Sequence, residues 1–202
     1  MITVPRRWSG QTVVCIGGGP SLTPADVLRV YGCRVIAIND AYRLAPWADV
    51  LYAADKKWID WHDGVPTFMG PKYSIESKDT TTRPDWRVLR NTGPLGLELE
   101  PTGLRAGFNS GFQAVNLAVH LGASRIVLLG YDMAPNPDGP SHWFGEHPDK
   151  RPSPYPEMRE AFDSLVDPLA ALGIEVVNCS RRTALRAFPM RTLDEVFAEV
   201  TV

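Results

Sequence analysis

An open, mostly parallel β-sheet with helices on both faces is the fold class that this 202-residue chain predicts, and three observations predict it. Short continuous apolar runs such as Val13-Val14-Cys15-Ile16 and Ile126-Val127-Leu128-Leu129 have the character of strands buried on both faces. Strand signals recur at intervals that leave room for helices. Gly122 and Gly173 stand where helix C-terminal glycines belong, each closely followed by a strand.

Taken in order, the strands are expected at Thr12–Ile16, Arg34–Ile38 and Val50–Ala54, with weaker signals at Pro66–Met69 and Arg87–Leu89, and then at Arg125–Leu129 and Glu175–Val177. Helical patterns fall between them at Pro24–Tyr31, Lys56–His62, Ser110–Leu121, Tyr155–Leu172 and Thr183–Ala187. Two stretches break this rhythm. Residues 70–108 are rich in Thr, Pro and Gly and read as an irregular insertion or lid, and residues 134–155 carry six prolines and read as a long structured loop directly after a strand, a usual place for catalytic groups. The whole chain, 1–202, reads as a single α/β domain.

Its length suffices for a core without disulfides or metal. Apolar residues at 44% and charged residues at 22% are ordinary for a globular protein, and a net charge of −2 gives no whole-molecule reason to hold nucleic acid. Arg181, Arg182, Arg186 and Arg191 form a local basic run that reads either as a solvated helix face or as a contact for a polyanion. Cys15, Cys33 and Cys179 share no C-x-x-C spacing and fit buried free thiols in a reducing cytoplasm. The first residues lack the apolar segment of a secretory signal, and no run reaches the length of a membrane span, so a cytoplasmic location is expected.

In open parallel sheets the ligand sits beyond the carboxyl ends of the strands. Here those ends carry Gly17-Gly18-Gly19, Asn39-Asp40, Asp55, Tyr131-Asp132 and Asn178, which are polar or glycine and also suit turns and caps. The turn Gly17-Gly18-Gly19-Pro20-Ser21-Leu22 reads as a phosphate-binding loop or as a structural corner. It is neither the dinucleotide pattern G-x-G-x-x-G nor a lysine-bearing P-loop. Asn109-Ser110-Gly111 opens the best amphipathic helix, where the cap residue and free N–H groups serve the helix and an anion alike. Ser141-His142-Trp143-Phe144-Gly145-Glu146-His147 holds two of the four histidines. Histidine suits proton transfer near neutral pH. Gly145 and the flanking prolines argue against a helix that would pair these rings on a metal, and a zinc site lacks further ligands, so no metal is assigned. His62 and His120 lie in helical patterns and read as packed or surface residues.

In their order along the chain, the glycine turn, Asn39, Asn109-Ser110-Gly111, Ile126–Leu129 followed by Gly130-Tyr131-Asp132, and the Ser141–His147 segment resemble the bacterial sialyltransferases that build lipooligosaccharide. The chain is also similar to the related proteins of the 6-hydroxymethylpterin diphosphokinase type, and the resemblance runs from Thr12 to about Asn178. It implies a Rossmann-like (GT-A-like) fold and a glycosyltransferase that needs no cofactor and takes a CMP-sugar or another nucleotide-sugar as donor. A glycan or other hydroxyl-bearing molecule would be the acceptor. Gly17, Gly18, Gly19, Pro20, Ser21 and Asn39 would hold the nucleotide, with Asp40 beside them, and Asn109, Ser110 and Gly111 would lie near the nucleoside and sugar. The family's histidine base maps to His147. Glu146 is an extra residue before it, which leaves His142 as the alternative ring, and Gly18 stands where the family has an asparagine. Tyr131 and Tyr155 are the tyrosines on offer for the leaving phosphate, with Asp132 beside Tyr131. The diphosphokinase branch implies Mg²⁺ with ATP, and Asp55 and Asp132 on the metal. A nucleotide-binding module without turnover is the third reading. A nucleic-acid acceptor guided by Arg83, Arg87 and Arg90, and a homo-oligomer, are left open.

Overall fold

The computed structural model describes residues 2–137, 139–149 and 152–198. At its centre is one sheet of eight strands: β1 (Thr12–Ile16), β2 (Arg34–Ile38), β3 (Val50–Tyr52), β4 (Lys72–Ile75), β5 (Trp86–Asn91), β6 (Gly103–Leu104), β7 (Arg125–Leu129) and β8 (Glu175–Asn178). Their order is β6-β5-β4-β3-β2-β1-β7-β8, and every pairing is parallel. The chain begins mid-sheet, walks outward to β6, and returns to lay β7 along the free side of β1. Where an α/β sheet reverses direction in this way, a crevice opens beyond the strands' carboxyl ends.

The strands bury both faces, and alternation assigns each side chain to one of two cores. Val13, Cys15, Ile36, Ile38, Val50, Tyr52, Ile126 and Leu128 face one core with α3 (Ser110–Leu121) and α4 (Tyr155–Ala171). Val14, Ile16, Val35, Ala37, Leu51, Val127 and Leu129 face the other, with α1 (Pro24–Leu28), α2 (Lys56–Trp61) and α5 (Leu193–Ala198). Each buried Val, Leu or Ile contributes about 1.5–3 kcal/mol, so a one-residue slip of register that exchanged the faces is strongly opposed. α3 is buried over ten of its twelve residues, tied to β3 by the Tyr52 hydroxyl donating to Gln113 Oε1 at 2.8 Å. Its N-terminus is therefore held firmly against the sheet. Gly122 ends it at φ 104°, as the sequence predicts.

Three expectations are corrected. Pro66–Met69 is not a strand: Asp63, Gly64 and Val65 all take positive φ, and the chain turns there, with the strand starting only at Lys72. Lys72 is buried, its ammonium donating to the carbonyls of Gly64 and Val65 and to Asp85. A buried lysine and serine break the apolar run by which β4 would have been recognised. Residues 70–108 are not wholly irregular, since between their turns and loops they supply β4, β5 and β6. Thr183–Ala187 is not a helix: the Thr183 hydroxyl donates to Tyr131 O at 2.6 Å and accepts from Leu185 N–H, and the Ala184 N–H goes to Asp132 O, so local bonds displace a helical ladder. The last helix is instead α5, which follows a Thr192–Glu195 capping box. Among the described residues, no helix is long and apolar enough to cross a membrane.

Candidate functional site

Beyond the carboxyl ends of β1, β2, β3 and β7 lies a cleft of about 710 Å³. Of the predicted site residues, it is lined by Gly17, Gly18, Gly19, Pro20, Asn39, Asn109, Ser110, Gly111, Tyr131, Asp132, His142 and His147. Ser21 and Asp40 do not line it. The fold thus gathers residues from four separate parts of the chain, and the two exceptions have physical reasons.

The glycine turn is bound to the segment after β7. The Gly17 N–H donates to Leu129 O and the Gly19 N–H to Gly130 O, each at 2.8 Å, and both the N–H and the hydroxyl of Ser21 donate to the Asp132 carboxylate at 2.9 Å. Ser21 therefore positions Asp132 instead of facing the cleft. A Cβ on Gly17 would lie 2.8 Å from Gly130 O, and one on Gly18 would lie 3.2 Å from His142 Cδ2. None of the three glycines has positive φ, so close packing is what demands them. Pro20 has no N–H, and of the turn's amides only that of Gly18 has no partner among the described residues.

Asp40 turns away into the core. It is 3% exposed, accepts from Trp58 Nε1 at 2.7 Å and faces Arg43 Nη1 at 3.3 Å and His62 Nε2 at 3.6 Å. Asn39 before it takes φ 50° and lines the cleft, with its Oδ1 buried and unpartnered. Met133 in the wall and Phe108 beside the Asn109 cap also have positive φ. Strained non-glycine backbone concentrates at ligand sites.

The N-terminus of α3 forms a second wall. Asn109 Oδ1 accepts from Phe112 N–H at 2.9 Å and its Nδ2 donates to Gly107 O, while the N–H groups of Ser110 and Gly111 precede the helical ladder and have no partner among the described residues. Such groups and the helix dipole favour an anion. Tyr131 is 1% exposed and donates its hydroxyl to Gly111 O at 3.1 Å, so it supports this wall. Burial holds that hydroxyl protonated far above the usual tyrosine range. Tyr155, in the first turn of α4, is half-buried at the cleft edge.

The loop between β7 and α4 supplies the third wall. His142 and Gly145 exchange backbone hydrogen bonds at 3.2 and 3.1 Å around Gly145 at φ 111°, a tight turn that rules out a helix there. The Trp143 N–H reaches Gly18 O at 3.3 Å and binds this loop to the glycine turn. The two imidazoles lie 4.7 Å apart between centroids, and Phe144 stacks on His142 at 4.9 Å. His142 Nδ1 is buried without a partner. Burial, reinforced by His147, lowers the His142 pKa below the ordinary imidazole value, while Glu146 and Asp40 pull the other way.

Asp55 and Asp149 also line the cleft. Asp55 Oδ1 caps α2 through the Lys57 N–H, and Asp149 pairs with Lys57 Nζ at 3.2 Å. Burial pushes the Asp132 carboxyl above the usual range, against the pull of the Ser21 bonds. Among the described residues, no three His, Cys, Asp or Glu side chains come together as a metal cluster. Arg181 is engaged bidentately by Asp26, Arg182 reaches Asn136, and Arg83, Arg87 and Arg90 have their own partners in Asp63, Tyr73 and Thr102. None of these arginines lines the cleft. His120 is buried against Gly103 O, the packed role its helical position implies.

Sequence reasoning misses Phe144, Met158, Pro152 and Ser153 in the cleft walls and Trp61 beside His147. Only the aromatic content of the Ser141–His147 segment hinted at any of them. No family model, no curated protein and no solved structure matches the chain.

Proposed function

We propose that the protein is a nucleotide-dependent transferase, a glycosyltransferase that moves a sugar from a nucleotide-sugar to an acceptor hydroxyl by direct displacement. The observation that carries this reading is that the free N–H groups of Ser110 and Gly111 and two adjacent imidazoles face one cleft of nucleotide-sugar size. The first can hold a phosphate; the second can move a proton.

His142 packs against Gly18 and so lies on the phosphate side, while His147 lies further out, toward Trp61. On this reading His147 takes the proton of the acceptor hydroxyl as its oxygen forms a bond to the anomeric carbon. The bond from that carbon to the phosphate oxygen breaks in the same step. The charge gathering on the leaving phosphate is met by the amides of Ser110, Gly111 and Gly18, already oriented before the reaction. The diphosphokinase reading asks Asp55 and Asp132 to hold a metal, yet Asp55 caps a helix through one oxygen and each oxygen of Asp132 already accepts a bond from Ser21. The transferase reading uses groups that are available.

The test is a thermal-shift screen against CMP, UDP, GDP, ATP and their sugar conjugates, with and without Mg²⁺, followed by turnover assays of any nucleotide-sugar that binds. Stabilisation by a nucleotide-sugar without metal is expected. His147→Ala should retain that shift while losing about 10²–10⁴-fold in turnover. Stabilisation by ATP only with Mg²⁺, or full turnover in His147→Ala, would overturn the reading. Binding with no turnover of any conjugate would leave a nucleotide-binding module.

A further inference from the structure

We infer that Trp61 is the platform of an acceptor subsite and that the subsite takes an uncharged pyranose; the inference rests on the transferase reading above. Two tryptophans stand three residues apart on α2 and have opposite fates. Trp58 is 2% exposed, belongs to the core and donates its indole N–H to Asp40. Trp61 is 41% exposed, packs into neither core, and its indole N–H has no partner among the described residues. Its ring lies beside that of His147, at 6.2 Å between centroids and 31° between planes. An exposed indole with no packing role, set obliquely beside the proposed base, is placed to hold what that base deprotonates.

The chemistry of the occupant follows from the surroundings. A tryptophan face with a free edge donor suits a ligand with one apolar face and polar edges. A pyranose is such a ligand: axial C–H groups cover one face and hydroxyls surround the ring. A nucleobase also stacks, but a nucleic acid brings phosphates that need cations. Among the described residues, the two lysines of α2 and Arg83, which lies beside Asp60 of the same helix, are each paired with a carboxylate: Lys56 with Asp60, Lys57 with Asp149 at 3.2 Å, and Arg83 with Asp63 at 3.0 Å. Among the described residues these cations are thus paired with carboxylates, which favours a neutral sugar. A ring lying on Trp61 would present a hydroxyl toward His147, with the donor's anomeric carbon on the far side of the imidazole pair.

The experiment is saturation-transfer difference NMR on the full chain with methyl β-galactopyranoside, methyl β-glucopyranoside and methyl α-mannopyranoside, alongside a short oligothymidylate. At least one glycoside is expected to show saturation concentrated on the C–H protons of one ring face. The signal should be insensitive to salt, lost in Trp61→Ala and kept in Trp61→Phe. The nucleotide thermal shift should be the same in all three proteins, because Trp61 is not among the residues that line the cleft. No signal from any glycoside, with the nucleotide shift intact, would overturn the subsite and leave the nucleotide reading standing. A Trp61-dependent signal from the oligothymidylate that fades with salt would overturn the neutral-sugar assignment in favour of a nucleic-acid acceptor. A Trp61-dependent glycoside signal in a protein that no nucleotide stabilises would uphold a sugar site and overturn the transferase.

Discussion

The Asp132 carboxylate occupies the space that a side chain on Gly19 would need: an added Cβ would lie 2.1 Å from Asp132 Oδ1. The two residues belong to the turns after β1 and β7, so the contact fixes the distance between two walls of the cleft. Gly19→Ala is expected to cost about 1–3 kcal/mol through overpacking, read as a lower urea midpoint. In the double variant with Asp132→Ala, the two losses should be less than additive. The same Cβ would lie 2.7 Å from the Gly130 carbonyl oxygen, so an unchanged midpoint in Gly19→Ala would mean that both the carboxylate and that backbone yield freely and that the contact constrains nothing.

Asp132 also makes a prediction about pH. Burial raises its folded pKa above the value in the unfolded chain. Between the two values the native state holds more protons than the unfolded state, so this residue's contribution to stability falls as pH rises and reaches its full cost above the folded value. Asp132→Asn removes the titration. The stability of the parent protein relative to that variant should decline with increasing pH through the mildly acidic range, measured by urea unfolding at a series of pH values. The slope is the readout, since the offset also includes the lost acceptor for the Ser21 amide; a level or rising slope contradicts the assignment.

At the start of α3, Asn109 holds the Phe112 amide with one end of its side chain and Gly107 O with the other. Asn109→Ala should lower stability by about 0.5–2 kcal/mol. Asn109→Ser, which keeps an acceptor, should recover part of the loss. If both variants weaken nucleotide binding more than they lower the melting temperature, the cap also orients the ligand-facing amides.

Lys72 predicts a larger effect far from the cleft. Its ammonium holds two carbonyls of a turn whose residues 63, 64 and 65 all have positive φ, and it pairs with Asp85 at 2.6 Å. Lys72→Met keeps much of the stem but leaves the Val65 carbonyl unpaired and Gly64 O with only the Trp86 indole N–H at 3.2 Å, with an expected loss of about 1.5–3 kcal/mol. Hydrogen exchange should locate the loosening at residues 63–68 and β4, with the cleft little affected.

His142 has its pKa lowered chiefly by burial, which favours the neutral imidazole, yet it packs against Gly18, where the proposed transferase would hold a phosphate. A phosphate bound there favours the imidazolium. Affinity for a nucleotide-sugar, whose phosphates do not titrate in this range, should therefore rise as the pH falls from about 8 to about 5.5. Calorimetric titration of the parent and of His142→Asn separates the contributions: the slope should vanish in the variant. A slope that persists in His142→Asn would belong to another group.

The central strands and α3 were legible because their apolar runs and closing glycine obey rules that tertiary contacts do not override. β4 was hidden because its buried lysine is neutralised by a turn and an aspartate that only the folded chain brings near. β6 spans only Gly103 and Leu104, too short for any period to register. The rule about carboxyl ends located the cleft, and it also swept in Asp40, because sequence shows that a carboxylate follows a strand but not which way it turns. Only packing revealed that Trp58 claims it. Trp58 and Trp61 look alike in the sequence for the same reason: the burial of one and the exposure of the other are set by what α2 packs against.

The sheet order has a consequence for how the molecule forms. β1 can pair with β2 as soon as residue 38 is available, but the strand on its other side joins Thr12 to Arg125, and Ser21 is separated from Asp132 by 111 positions. Such distant partners are the slow part of folding, because chain entropy must be surrendered before their contacts form. The cleft thus cannot acquire all its walls until the chain has been made through α4. Until β7 docks, β1 keeps an open, hydrophobic edge, and that edge is the place where a nascent or partly unfolded chain is most exposed to pairing with a second copy of itself.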